Sequence, residues 1–192
     1  MRKDIVEVCY HSKAGHVGGS LSAIDILNVL YFNELRIDPN NPKMENRDRF
    51  ILSKGHIAEA LYVTLAKRGF FAYSELDNFS GYNTKYIGHP NNKVAGVEMN
   101  TGALGHGLAI GVGLAIAAKK MGQDYRTYVL MGDGELAEGS IWESAMAAGH
   151  YKLDNLCAIV DRNHLQISGC TETVMTLEDL KGKWQMFGFE VI

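Results

Sequence analysis

An α/β fold, a parallel sheet with helices on both faces, is the architecture this 192-residue sequence predicts. Two observations carry that expectation. Short apolar runs, Tyr128–Met131 and Leu156–Val160, are separated by a helical segment over 139–151, and strands alternating with helices imply a parallel sheet covered on both sides. Each run also ends in a small, polar turn, Gly132-Asp133-Gly134 and Asp161-Arg162-Asn163, at the carboxyl edge where such sheets bind ligands.

The elements follow in order. Residues 2–13 read as a helix broken by Ala14-Gly15-His16-Val17-Gly18-Gly19. Ser20 is placed to cap the next helix, where Leu21, Ile24, Leu27, Leu30 and Tyr31 recur at helical spacing. Asp38-Pro-Asn-Asn-Pro-Lys43 is a loop by composition. The apolar run Phe50–Leu52 leads through Ser53-Lys54-Gly55-His56 into a helix ending near Gly69, and residues 78–101 are loop-like. A helix is expected from about Leu104 to Met121, with Gly122 as its C-cap, and another near 177–187 before a strand entering at Phe189–Ile192. The glycines of 105–113 suggest a helix that packs closely against a second polypeptide. No internal repeat or linker-like composition divides the chain, so 1–192 reads as one domain.

Bulk composition narrows the function. With 46% hydrophobic residues, 21% charged residues and three prolines the chain is globular. A net charge of -3 leaves no basic surplus to neutralise phosphates, which argues against a nucleic-acid partner. Three cysteines with no close pair argue for a reducing compartment, hence a cytoplasmic location. The apolar stretch Ala103–Ala118 contains His106 and is shorter than the roughly 20 residues that cross a bilayer, so no membrane span is expected.

The chemistry concentrates at the two strand ends. Asp133 between glycines lets the backbone turn sharply and approach a ligand. The helix beginning soon after would offer its N-terminus to an anion. Asn163 lies about thirty residues on, at the end of the next strand, where it would face the same ion. Side-chain oxygens of Asp and Asn, with a backbone carbonyl, suit Mg²⁺, which usually shares its octahedron with phosphates. The residues alone thus support a Mg²⁺–phosphate site; each turn by itself also serves as an ordinary strand-end turn.

Gly132-Asp133-Gly134 followed at that interval by Asn163 resembles the thiamine-diphosphate motif. The longer string Gly132-Asp-Gly-Glu-Leu-Ala-Glu-Gly139 through Ile141-Trp-Glu-Ser-Ala145 resembles the transketolase family. So do Gly15-His16-Val-Gly-Gly-Ser-Leu21, Arg47–Ser53 with Gly55-His56, Gly88-His89-Pro90 and Thr101-Gly102-Ala-Leu104-Gly-His106-Gly107, in family order over nearly the whole chain. That resemblance implies thiamine diphosphate and Mg²⁺ as cofactors. Asp133, Asn163 and the Leu165 carbonyl would hold the metal, Gly134 and Asn163 would contact the diphosphate, and Gly102 and Leu104 would line the bent middle of the cofactor. His16, His56 and His89 would surround the thiazolium and the reacting carbonyl of a sugar phosphate, His56 also reaching the diphosphate. Glu138 would sit at a subunit interface beside the catalytic Glu of a pyrimidine-binding domain. His106 departs from the family, which commonly carries Gln there.

Histidine suits such roles because it donates, accepts and shuttles protons near neutral pH. The three singled out each sit beside glycine or at a helix start; His11, His150 and His164 read as surface residues. Glu138 falls in the first turn of a helix, where the dipole alone favours a carboxylate.

The resemblance further implies ketol transfer from a ketose phosphate to an aldose phosphate. It requires a pyrimidine-binding partner subunit, in a dimer or heterotetramer, because nothing in 192 residues supplies the second domain. The family continues past Phe189–Ile192, so the domain is expected to be incomplete at its C-terminal end, as a split-gene subunit or a portion of a longer chain. Three competing readings stand beside it: a deoxyxylulose-phosphate synthase-like enzyme, a transketolase acting on an unusual sugar, and a non-catalytic binding module.

Overall fold

The computed structural model describes residues 1–192. Helix α1 (Arg2–Ser12) ends at Lys13 in the left-handed region, and α2 (Val17–Val29) runs on into a wider π turn at Leu30–Glu34. Strand β1 (Arg49–Leu52) leads through a short 3-10 turn, Gly55–Ile57, into α3 (Ala58–Arg68), which Gly69 closes at φ 100°. After a long irregular segment come α4 (Gly107–Met121), β2 (Thr127–Gly132), the 3-10 turn Gly134–Ala137, α5 (Gly139–His150) and β3 (Leu156–Asp161). A two-residue hairpin, β4 (Leu165–Gln166) and β5 (Gly169–Cys170), precedes the short helices α6 (Thr171–Val174) and α7 (Leu180–Met186).

The sheet has the order β1-β2-β3, all parallel, with Leu52 beside Leu130 and Gly132 beside Asp161. Because side chains alternate across a strand, its two faces feed two cores. Phe50, Leu52, Tyr128 and Leu130 join Ile5, Ile24, Leu27, Tyr62 and Leu65 of α1–α3. Ile51, Val129 and Met131 join Leu108 of α4, Ile141 and Ala145 of α5, and Leu180 and Trp184 of α7. Helices on both faces are therefore as expected, and both cluster sets are close to fully buried.

Several local expectations need correction. Helix α2 begins at Val17 with His16 as its N-cap, so Ser20 lies inside it, completely buried, its hydroxyl donating to Glu59 instead of capping the helix end. Helix α4 starts at Gly107, three residues later than Leu104, because Gly105 adopts φ 86°. Its glycines mostly serve its own sheet: a Cβ on Gly111 would overlap Val129, and one on Gly107 would overlap Ser53. Only Gly113 of that helix faces open space, so the close packing expected against a second polypeptide is largely internal. Phe189–Ile192 forms no strand; Phe189 and Val191 pack on the second core instead.

Candidate functional site

The carboxyl ends of β1, β2 and β3 converge on one edge, where Asp133, Glu135 and Asp161 are all buried. The strand register sets Gly132 against Asp161, which brings Asp133 beside the 161–164 turn. Asp133 is 2% exposed. Its Oδ1 accepts the Gly134 N–H at 2.9 Å, and its Oδ2 accepts the His164 N–H at 2.8 Å and the Thr171 hydroxyl at 3.3 Å. The 3-10 turn Gly134–Ala137 stands between Asp133 and α5, so the helix N-terminus does not follow the motif directly; the Asp133 carboxyl caps the short turn. Asn163 Oδ1 accepts the Leu165 N–H at 2.9 Å, an Asx turn leading into the hairpin.

These donors fit a hard cation. Asp133 and Asn163 offer side-chain oxygens, and a carboxylate has about four lone-pair sites, of which three are taken here. No cluster of three or more His, Cys, Asp or Glu side chains accompanies them. Two side-chain ligands suffice for an ion that takes its remaining ligands from backbone, water and phosphate. Leu165 lies on the exposed hairpin directly after this turn.

Two buried contacts missed by sequence reasoning brace the edge. Lys54 Nζ meets Asp161 Oδ2 at 2.7 Å with both groups nearly inaccessible, and Asp161 Oδ1 also accepts the Ser22 hydroxyl at 2.7 Å. Glu135, 3% exposed, accepts the Ser53 hydroxyl, the Gly105 N–H at 2.8 Å and the Gly132 N–H at 3.1 Å. One carboxyl thereby ties the end of β1, the turn before α4 and the end of β2. Burial pushes its pKa up, against the pull of those donors. Both residues stand inside recognised strings, Ser-Lys-Gly-His and Gly-Asp-Gly-Glu, yet neither composition nor spacing marks a charged side chain as buried.

The three histidines gather at the other end of the edge. The His16 and His56 rings lie 5.2 Å apart, edge to face. Gly102, at φ 134°, sits against the His89 ring so closely that a Cβ would overlap it. On its other side a Cβ on Gly55 would stand 2.7 Å from the Gly102 nitrogen. Gly55 and Gly102 are thus clearances that let the His56 and His89 segments meet. Burial, then the charges of Lys54, His16 and His89, lowers the His56 pKa to about 4. His56 is accordingly neutral at pH 7, with one ring nitrogen able to accept a hydrogen bond.

The remaining candidates are placed as follows. Leu104 is partly exposed, two residues beyond Gly102. Gly134 packs against Gln166 of the hairpin. Glu138 is the exposed N-cap of α5, one residue ahead of the helix, not within its first turn, and its side chain makes no capping hydrogen bond. Gly105 packs against its Cβ. His106, the N-cap of α4, is exposed.

A parallel sheet with an oxygen-donor strand edge and a histidine corner beside it has the layout of an α/β ligand-binding domain. The family model described as transketolase, thiamine diphosphate binding domain, matches residues 1–192, and the chain belongs to that family of transferases. It is 56% identical over 191 residues to one of the subunits of apulose-4-phosphate transketolase from Phocaeicola vulgatus, covering 100% of this chain and 68% of the relative. To the protein of the same description from Actinobacillus succinogenes it is 48% identical, covering 100% of this chain and 70% of the relative. The structure of Campylobacter jejuni transketolase superposes with a TM-score of 0.94 at 37% identity, covering 100% of this chain but 31% of that one. The chain thus spans about a third of the full-length transketolase it matches. No helix is long and apolar enough to cross a membrane.

Proposed function

We propose that this chain is the diphosphate-side component of a split ketol transferase, moving a two-carbon unit from a ketose phosphate to an aldose phosphate with a pyrimidine-binding partner. The observation that carries this reading is the convergence of Asp133, Asn163, Gly102, His16, His56 and His89 on one sheet edge within a thiamine-diphosphate-binding family. Relatives described as single subunits of a transketolase support the need for a partner. The assembly would be a dimer or heterotetramer working in the cytoplasm.

Asp133, Asn163 and the Leu165 carbonyl would hold Mg²⁺, while Gly134, Asn163 and His56 would contact the diphosphate. Gly102 and Leu104 would line the middle of the cofactor. Bound thiamine diphosphate supplies the electron sink for carbon–carbon cleavage. The protein orients the sugar and moves protons. His56, neutral at pH 7, offers a ring nitrogen as a hydrogen-bond acceptor; His16 and His89 donate to oxygens on the substrate's reacting end. Glu138, exposed and uncapped, is free to meet the partner's carboxyl. Apulose 4-phosphate, named for two relatives, is the first donor to try.

The test measures turnover of ketose-phosphate donors and aldose-phosphate acceptors with and without a candidate partner. Turnover only in the mixture is expected. Robust turnover by the chain alone would overturn the split reading; binding without turnover in any assembly would favour a non-catalytic module. Release of carbon dioxide from an α-keto acid donor would favour the synthase-like alternative.

A further inference from the structure

We propose that Glu59 is a positioning residue that seats His16 against His56. Glu59 lies in the first turn of α3, three residues after His56, and is 0% exposed. Its Oε1 accepts two hydrogen bonds from the start of α2: the His16 N–H at 2.6 Å and the Ser20 hydroxyl at 2.7 Å. One oxygen thus joins the start of α2, whose N-cap is His16, to the first turn of α3, which follows directly on the 3-10 turn that holds His56.

The surroundings close off alternatives. Gly15, immediately before His16, adopts φ 119°, and a Cβ there would come within 2.6 Å of Cys9 Sγ and 3.2 Å of the Glu59 carboxyl. The loop before α2 is therefore pressed onto Glu59 with no room for a side chain. Buried Cys9 packs behind it, its thiol pushed up to about 11 by burial and by the neighbouring Glu59. The second oxygen, Oε2, is buried without a hydrogen-bond partner. A buried acceptor left half-satisfied is costly. An apolar residue would suit this interior better if filling space were its only task. Positions that break a local rule in this manner tend to mark function. Holding the His16 backbone by a charge-capable acceptor fixes where α2 begins, and with it the ring that meets His56 edge to face.

The inference rests on the proposed role of His16 in ketol transfer, so its test has one arm that needs no activity. In the isotope-labelled full chain, Glu59→Met should shift the His16 amide and ring resonances, whereas Glu59→Gln, which keeps the acceptor, should leave them near their original positions. His16 resonances unmoved by Glu59→Met would overturn the proposal. If Glu59→Met does not fold by thermal melting, Ser20→Ala, which removes one of the two donors on the same oxygen, should still shift the His16 amide; no shift would overturn it equally. In the assembled enzyme, Glu59→Met should lower kcat by about 10²-fold with little change in KM, as expected for a misplaced catalytic group. Glu59→Gln should restore most of kcat. The same substitution in a His16→Ala background should cost little more. An equal loss in both backgrounds would show Glu59 acting on the fold at large and not through His16. An assembly with no activity in the unmodified protein would count against the proposed function while the resonance shifts still decide the role of Glu59.

Discussion

The acidic edge and the histidine corner of this site are built by different means. At the edge, Asp133 and Asn163 follow two neighbouring strands, and strand register alone brings their turns together. Their oxygens are oriented by amides one, two or thirty-one residues away, those of Gly134, Leu165 and His164. At the corner, His16, His56 and His89 come from a helix cap, a 3-10 turn and an irregular loop. Nothing periodic aligns them. They meet because Gly55 and Gly102 leave space and because Glu59 draws the α2 start onto α3. An edge set by register depends on the two strands staying paired, whereas a corner set by clearance is strained when a single methyl group is added.

The largest effect expected is at the edge. Asp133→Ala removes the buried carboxyl that accepts the His164 N–H beside Asn163, and Mg²⁺-dependent cofactor binding by calorimetry in the assembled complex should be abolished. Unchanged affinity would remove the metal assignment. Next in size is the brace beneath both regions. Lys54→Met leaves Asp161 buried without its cation and should cost about 3–5 kcal/mol in denaturant unfolding. The double substitution Lys54→Met with Asp161→Leu should recover part of that loss. No recovery would show that Asp161 matters through Ser22 and not through the ion pair.

The corner is sharpened by Gly102→Ala. The new methyl group meets the His89 ring at a left-handed backbone position, so about 1–3 kcal/mol of stability should be lost. The His89 ring resonances should move while those of Asp133 and Asn163 stay put. Movement at both ends would mean that the two regions are one rigid unit.

A pH effect separates them further. His56 has its pKa held near 4, below the ordinary 6.5, so the unfolded chain binds the extra proton over that interval. Stability should therefore be fully present above about pH 6.5 and fall as pH drops toward about 4. His56→Gln should flatten that part of the curve in chemical unfolding at stepped pH; an unchanged slope would assign it to other groups. The smallest effect concerns Cys9, whose thiol is raised to about 11. In the folded chain it should alkylate far more slowly at pH 8 than exposed Cys170, as peptide mapping would read.

The two regions also differ in how far the sequence reveals them. Both strands around the Asp133–Asn163 edge and the helices on either face are legible, since apolar runs and helical spacing depend on neighbours in the chain. The histidines are legible only as motif members. Their meeting depends on segments separated by dozens of residues. Where sequence and structure part, at Ser20, at the glycines of α4 and at Phe189–Ile192, a tertiary contact takes over a locally plausible role. Ser20 answers to Glu59, Gly107 and Gly111 to the sheet, and the final residues to the second core.

By itself, then, the sequence determined the α/β class, the family and the strand-end oxygen donors, because these are written in local periodicity and short spacings. Only the tertiary structure decided which charges are buried. Glu59, Glu135, Lys54 and Asp161 look like any surface residues in the linear chain. Burial is a property of what packs around a side chain, and the cost of desolvating a charge is met only by partners that the fold brings from elsewhere.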